Sequence, residues 1–307
     1  MHFCKKERLF FLYVATLGFI VALTPRDASA LVMWTFDNTG CVSTLGPSGN
    51  CGAGDTNYSD LRVYQTSSGV GGDVAVSGWA NTITGNTQLE LGQITHFGGG
   101  GLGVRNADGP RGQDIGEGTS PEDGVDNDER FDMVLFDFGH QLVDLSQITL
   151  GSWQQDADIS VLAYIGNLDP TDDTGADYIG DREAWWNSDL IKDEDLTSHG
   201  WSLIGNHDVD NTDPTNPAQF SPATADINSG GTASSYWLIS AYNPVFGGSC
   251  TPANSYCQSD YEDYFQIQAL AGDVRGEFSQ VPEPTTLLLM GIGLVGLGFA
   301  RRRRLNA

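Results

Sequence analysis

The sequence predicts an all-β fold, a jelly-roll-like β-sandwich with long acidic loops, set between two terminal apolar segments. Three observations predict it. Short apolar and aromatic runs recur between turns rich in Gly, Asn, Asp and Pro. The chain holds 39 Gly among 307 residues and little Lys, a composition unlike a helical bundle. About ten such runs fall in roughly 250 residues between the terminal segments, a number that suits a two-layer packing.

The N-terminal segment, residues 1–30, reads as a secretory signal peptide. Lys5, Lys6 and Arg8 form a positive start, and Leu9–Leu23 is apolar except for Tyr13 and Thr16. Ala28-Ser29-Ala30 then supplies the small residues at positions 28 and 30 that a signal peptidase takes. The apolar run is short for a spanning helix. The mature body is therefore expected at 31–280, outside the cytoplasm, where disulfides persist.

Within the body the predicted strands are Leu31–Phe36, Leu61–Gln65, Asp73–Trp79, Gln88–Thr95 and Arg130–Phe138. They continue with Gln147–Trp153, Asp158–Ile165, Trp201–Ile204, Ser235–Ala241 and Asp263–Leu270. Each is bounded by turn-forming residues. In Arg130–Phe138, Phe131, Met133 and Leu135 alternate with Asp132, Val134 and Phe136, so both faces are largely apolar and the strand belongs in the middle of the packing. In Asp263–Leu270 the alternation puts Phe265, Ile267 and Ala269 on one face. Only Asp181–Leu190 reads as a short helix. No long internal repeat and no interdomain linker interrupts the body.

Charge narrows the function. The chain carries 15 Lys+Arg against 40 Asp+Glu. Eight of the bases but only three of the acids lie in the terminal segments. Residues 31–280 are left with 7 bases and 37 acids, a formal charge of −30, and Lys192 is their only lysine. Such a surface repels phosphate backbones, which excludes nucleic acid as a partner. It disfavours anionic lipid and attracts cations. Adaptation to salty surroundings reads equally well from the same composition.

Four cysteines remain in the body as two close pairs, Cys41 with Cys51 and Cys250 with Cys257. Three connectivities are open, and local pairing is the simplest because each pair brackets a turn-rich loop. Neither pair has the partners of a zinc site.

Three loops concentrate hard oxygen ligands: Glu122–Glu129, Asp169–Asp177 and Asp208–Asp213. Calcium, which takes six to eight oxygens, is the cofactor they would hold; none is otherwise required. The candidate ligands are Asp208, Asp210 and Asp213, whose alternation fits best, and Asp169, Asp172 and Asp173. None completes an EF-hand. In so acidic a chain the same loops also read as solvated turns. Trp185 and Trp186 are adjacent and cannot both face one core, which makes them candidates for stacking on a glycan. Trp34, Trp79, Trp153, Trp201 and Trp237 fall inside strand patterns and are read as core.

No catalytic residue is assigned, and the body is read as a non-enzyme. The chain has no G-x-S-x-G and no H-E-x-x-H, and His96, His140, His199 and His207 are scattered. A secreted hydrolase using two carboxylates is the least favoured alternative. Gly291, Gly293 and Gly296 fit a dinucleotide fingerprint, but no strand precedes them and the chain ends in arginines, so they are read as small residues of a membrane helix.

The C-terminal segment, 281–307, is the most specific signal. Pro282-Glu283-Pro284 comes first, the apolar run Leu287–Ala300 second, and Arg301, Arg302, Arg303 and Arg304 last. The prolines keep the chain extended and open to a protease. The apolar run enters a bilayer as a transmembrane sorting helix, and the arginines hold the cytoplasmic side. This order resembles the PEP-CTERM sorting signal of Gram-negative bacteria. The resemblance implies that an exosortase recognises Pro282, Glu283 and Pro284 and removes or transfers the tail.

Several body segments also resemble a family of exosortase-dependent surface proteins. They are Gly101–Val104, Val125–Asn127, Asp158–Tyr164, Gly200-Trp201, Ser234–Asn243 and Asp263–Phe265. The resemblance implies an exported cell-surface or extracellular-matrix protein that passes through the secretion machinery and is anchored transiently in the inner membrane, and it brings no established enzymatic activity with it. Exopolysaccharide is the partner expected there. A calcium-dependent glycan-binding module is the alternative reading.

Overall fold

The computed structural model describes residues 31–45, 51–52, 58–66, 71–81, 89–106, 124–128, 130–166, 192–209, 222–251 and 263–277. They lie in one unit that begins at Leu31. In chain order the strands are β1 (Val32–Thr35), β2 (Cys41–Leu45), β3 (Leu61–Tyr64), β4 (Val74–Asn81), β5 (Leu89–Leu91), β6 (Gln93–Phe97), β7 (Gly101–Arg105) and β8 (Val125–Asp126). They continue as β9 (Asp132–Asp137), β10 (Gln141–Gln155), β11 (Asp158–Tyr164), β12 (Trp201–Asp208), β13 (Ala223–Asp226), β14 (Tyr236–Ala241), β15 (Cys250–Thr251) and β16 (Asp263–Glu277). Two short 3-10 turns, Asp193–Ser198 and Pro244–Phe246, are the helical elements among the described residues.

The strands form two sheets. The first has the order β13-β10-β16-β7-β6, with β1 and β8 also on β16. The second runs β15-β12-β11-β14-β9-β4-β3-β2, with β5 on β4. Pairing is antiparallel except between β12 and β15. One apolar cluster draws on both sheets: Trp34, Ile148, Phe265 and Ile267 from the first meet Phe136, Ile159, Val161 and Trp237 from the second. The Trp237 indole donates to the Val143 and Ser234 carbonyls, each at 3.2 Å, and so ties the second sheet to β10.

The second sheet is covered on its other face as well. Met133 and Leu135 join Trp79, Leu162, Tyr164, Trp201 and Leu238 beneath Leu196 and Phe246 of the two 3-10 turns. Strand β9 thus contributes alternate residues to two clusters and sits between β14 and β4, as its sequence predicts. Burying each such side chain is worth roughly 1.5–3 kcal/mol. The five tryptophans read as core are all buried. Trp185, Trp186 and the predicted helix Asp181–Leu190 lie outside the described residues.

Some boundaries differ from the sequence reading. Gln88–Thr95 is two strands, because the chain breaks at Gly92 between β5 and β6. Strands β10, β12 and β16 run well beyond their predicted limits, and β2, β7, β8, β13 and β15 were not predicted. Leu270 of β16 enters the core cluster in place of Ala269. The cause is a bulge: Thr149 pairs with Ala269 but Leu150 with Ile267, so Gln268 is an extra residue that shifts the phase of the alternation. At Gly272, a side chain would press its Cβ to 2.6 Å from the Asp144 carbonyl oxygen, which explains a glycine within so long a strand.

Arg62 is buried where β3 meets β6. Its guanidinium donates to the Gly52 carbonyl at 2.9 Å, to the Thr95 hydroxyl at 3.2 Å and to His96 Nδ1 at 3.2 Å. A guanidinium only donates, so Nδ1 accepts and His96 is the neutral Nε2-H tautomer. Burial and the Arg62 charge both depress the His96 pKa, against a smaller opposing effect of Asp37. Cys41 is bonded to Cys51, beside the Gly52 carbonyl. Cys250 is also in a disulfide, and Cys257 lies outside the described residues.

Replacing Cys41 and Cys51 by Ser should lower unfolding stability by about 2–3 kcal/mol, the loop-closure value for a loop of this size. Denaturant unfolding checks this. A loss well under 1 kcal/mol would mean that the Arg62 contacts hold the loop without the bond.

Candidate metal centre

The first sheet passes into the second at the end of β10. Strand β10 stops at Gln155, the chain crosses through Asp156 and Ala157, and β11 starts at Asp158. Strand β16 begins at the same place: Asp263 forms a parallel bridge with Asp156, and the Tyr264 N–H donates to the Asp156 carbonyl at 3.2 Å. Asp156, Asp158 and Asp263 are 3%, 0% and 0% exposed. One carboxylate oxygen from each lies within 4.8 Å of the other two.

The surroundings fix this geometry. Asp263 accepts from the Asp158 N–H at 2.9 Å and from the Asn127 amide at 2.6 Å. Its own N–H donates to Asn127 Oδ1 at 2.8 Å. The Asn127 amide also reaches the Tyr242 carbonyl at 3.3 Å, and the Tyr242 N–H donates to the Asp158 carbonyl at 3.0 Å. Asp156 accepts from the Ala157 N–H at 3.0 Å. The residues just after β8 and β14 thus meet the first residues of β11 and β16 at one point.

Electrostatics sets the chemistry. Burial pushes the Asp263 pKa well above 3.8, the negative charges of Asp158 and Asp156 push it further, and the bonds from Asp158 N–H and Asn127 oppose the rise. Three carboxylates this close, away from water, need a shared proton or a cation. Oxygens bound to one calcium ion at about 2.4 Å are at most about twice that distance apart, and this spacing fits. Asp156, Asp158 and Asp263 could hold a hard divalent cation.

The loops predicted as calcium sites are placed only in part. Asp208 ends β12 with its Cα paired to that of Asp158, so the third loop leaves from the strand end beside the cluster. Asp210, Asp213, Asp169, Asp172 and Asp173 lie outside the described residues. From the first loop, Asp126 is buried and accepts from the Asp128 N–H at 3.1 Å, while Asn127 touches Asp263 directly. The sequence reading missed the three carboxylates as a set, because Asp158 and Asp263 are 105 positions apart. Asp156-Ala157-Asp158 at the head of an apolar strand was the local signal available.

None of the four histidines belongs to this cluster. His96 packs on Arg62, His199 Nδ1 lies 2.8 Å from the Asp195 carbonyl, and His207 is buried against the Ile227 backbone. His140 is exposed on the turn between β9 and β10.

Comparison with known families finds a PEP-CTERM protein-sorting motif at residues 280–304. No curated protein matches the chain. The motif begins three residues after β16 ends at Glu277. Pro282, Glu283, Pro284, Arg301–Arg304 and the signal residues Ala28 and Ala30 lie outside the described residues. Among the described residues, no helix is long and apolar enough to cross a membrane.

The raised Asp263 pKa gives a pH test. The folded state holds this proton more tightly than the unfolded chain, so its contribution to stability is present below about pH 3.8 and is lost as pH rises through the folded value. In chelator, the melting temperature of the native chain should fall relative to that of Asp263→Asn between pH 4 and pH 7. Parallel curves for the two proteins would reject the assignment.

Proposed function

We propose that this chain is an exported cell-surface or extracellular-matrix protein of a Gram-negative bacterium, processed at its C-terminal tail by an exosortase and associated with exopolysaccharide. The single observation that carries the reading is the sorting motif at 280–304. It supports export and sorting to the cell envelope. The finer roles follow from chemistry. Pro282, Glu283 and Pro284 form the rigid, extended stretch that the protease reads, and Arg301 to Arg304 hold the tail on the cytoplasmic side of the inner membrane until it is cut. A signal peptidase cuts after Ala30, and the secretion machinery delivers the body as a non-enzymatic, jelly-roll-like sandwich.

The carboxylate cluster favours a second reading, a calcium-dependent glycan-binding module on the same fold. The three buried acids lie beside the strand that leads into Asp208, Asp210 and Asp213. Calcium would neutralise the cluster and fix the loops around it. Trp185 and Trp186 would then supply a stacking surface for sugar rings.

Glu283→Ala should accumulate as unprocessed precursor, larger than the mature protein by the tail, on immunoblots of fractionated cells. Wild-type processing of this variant would reject exosortase recognition of the motif. For the second reading, purified 31–280 should bind host exopolysaccharide saturably in calcium and release it in EDTA. Binding that persists in EDTA would remove calcium from the function, and absence of binding in both conditions would remove the glycan.

A further inference from the structure

The bulge in β16 changes what the outer face of the first sheet presents. Ile267 and Leu270 both enter the core cluster, so Gln268 and Ala269 between them both face outward. Thr224 and Thr149 pair on the same face, because Ala223 and Ala225 pack on the core beside Leu150 and Ile148. Ile267 pairs with Leu102, another core residue, which sets Gly101 beside Gln268 on the outward side. Gly101 in turn pairs with Phe97. One row therefore crosses β13, β10, β16, β7 and β6 through Thr224, Thr149, Gln268, Gly101 and Phe97. At the usual strand spacing it is about 19 Å wide.

The row combines hydroxyls, an amide and an aromatic ring. The Thr149 and Thr224 hydroxyls lie 3.1 Å apart at the surface. The Gln268 amide donates to the Gly99 carbonyl at 3.1 Å, which fixes the side chain and leaves Oε1 to accept. No side chain can stand at Gly101, where a Cβ would press to 2.3 Å from the Ile267 carbonyl oxygen. Beyond that bare position, Phe97 is only partly buried and lies in neither apolar cluster. Gly98 and Gly99 beside it are exposed, and a Cβ on either would meet nothing within 4 Å. A ring so placed can stack on the C–H face of a sugar while the amide and hydroxyls bond its hydroxyl groups.

The row itself carries no charge. Asp226, the next outward residue on β13, accepts from the Gln147 amide at 3.2 Å. A polyanion finds no base in the row and is repelled by the strongly acidic body around it. An uncharged polymer meets neither obstacle. Adjacent strands lie about 4.8 Å apart, close to the length of one sugar residue in an extended chain, so the groups of the row meet successive sugars.

We infer that this row is the binding site for an uncharged polysaccharide, with Phe97 stacking on one sugar ring and Gln268, Thr149 and Thr224 bonding the hydroxyls of the sugars that follow. This rests on the proposed association with exopolysaccharide and gives it a site on the first sheet. The site uses no cation and is separate from the carboxylate cluster.

For the test, host exopolysaccharide is divided by anion exchange into an uncharged and an anionic fraction, and each is cast into native gels. The full chain, purified in mild detergent, should be retarded by the uncharged fraction with and without EDTA. Phe97→Ala and Thr149→Lys should each weaken this binding about fivefold, the scale of one lost contact, while keeping the native melting temperature. Thr149 lies at the surface, so its variant reads the site even where loss of Phe97 unsettles the β6–β7 hairpin. Val42→Lys, at an exposed position of β2 in the second sheet, should bind like the native chain. Native binding by folded Thr149→Lys, or binding that EDTA abolishes, would overturn this site alone. A native chain retarded by the anionic fraction instead, and more strongly so with Thr149→Lys, would overturn the uncharged class. Retardation by neither fraction would overturn the exopolysaccharide association and this inference together.

Discussion

The pairing of β16 is the constraint on which the first sheet depends. This strand joins β10 along its length and also holds β1, β7 and β8. Without it, the first sheet reduces to the β6–β7 hairpin, the β10–β13 pair and two isolated strands. An isolated two-stranded ribbon is marginal in water. The core would then lose Phe265, Ile267 and Leu270 directly and the alignment of Trp34 with them. The second sheet is less exposed to such a loss, because the 3-10 turns and the cluster of Trp79, Leu135 and Trp201 cover its far face.

The same strand creates the electrostatic tension at its start. Antiparallel pairing with β10 and the bridge to Asp156 fix Asp263 beside Asp156 and Asp158 whatever their charge. Asn127 and backbone N–H groups stabilise the carboxylate form, while burial and neighbouring charges oppose it more strongly. A core serving only stability is better filled by apolar groups. Three acids kept where the two sheets meet form a point at which a cation would relieve the charge.

Much of the architecture was legible in the sequence. The two-faced pattern of Met133 to Phe136 placed β9 between apolar layers, and the five tryptophans inside strand patterns are buried. What was not legible has a common cause. Strands β10 and β16 accommodate polar residues and bulges because they pair with each other over fifteen residues, a cross-chain property that no local window contains. Strand β8 is two residues long and exists only because β16 lies beside it. The carboxylate cluster was hidden in the same way: each acid reads alone as a turn residue, and only the crossing of β10 into β11 against the start of β16 joins them.

The dependence on β16 also orders events during export. The strand that completes the first sheet is the last of the body, so β1 has no partner in that sheet until nearly the whole chain has crossed the membrane. Pairing between the first and last strands is the slow, long-range kind, and an unpaired strand is open to association with other chains. A tail that halts in the membrane immediately after β16 would hold that strand near the translocation site while the rest of the sheet closes on it. The start of β1 and the end of β16 lie toward the same end of the sandwich, so Val32 sits beside the strand that leads to the sorting motif. With the tail so held, the short spacing between Glu277 and the sorting motif would serve folding as well as sorting, because a long linker would let the last strand drift from the first sheet.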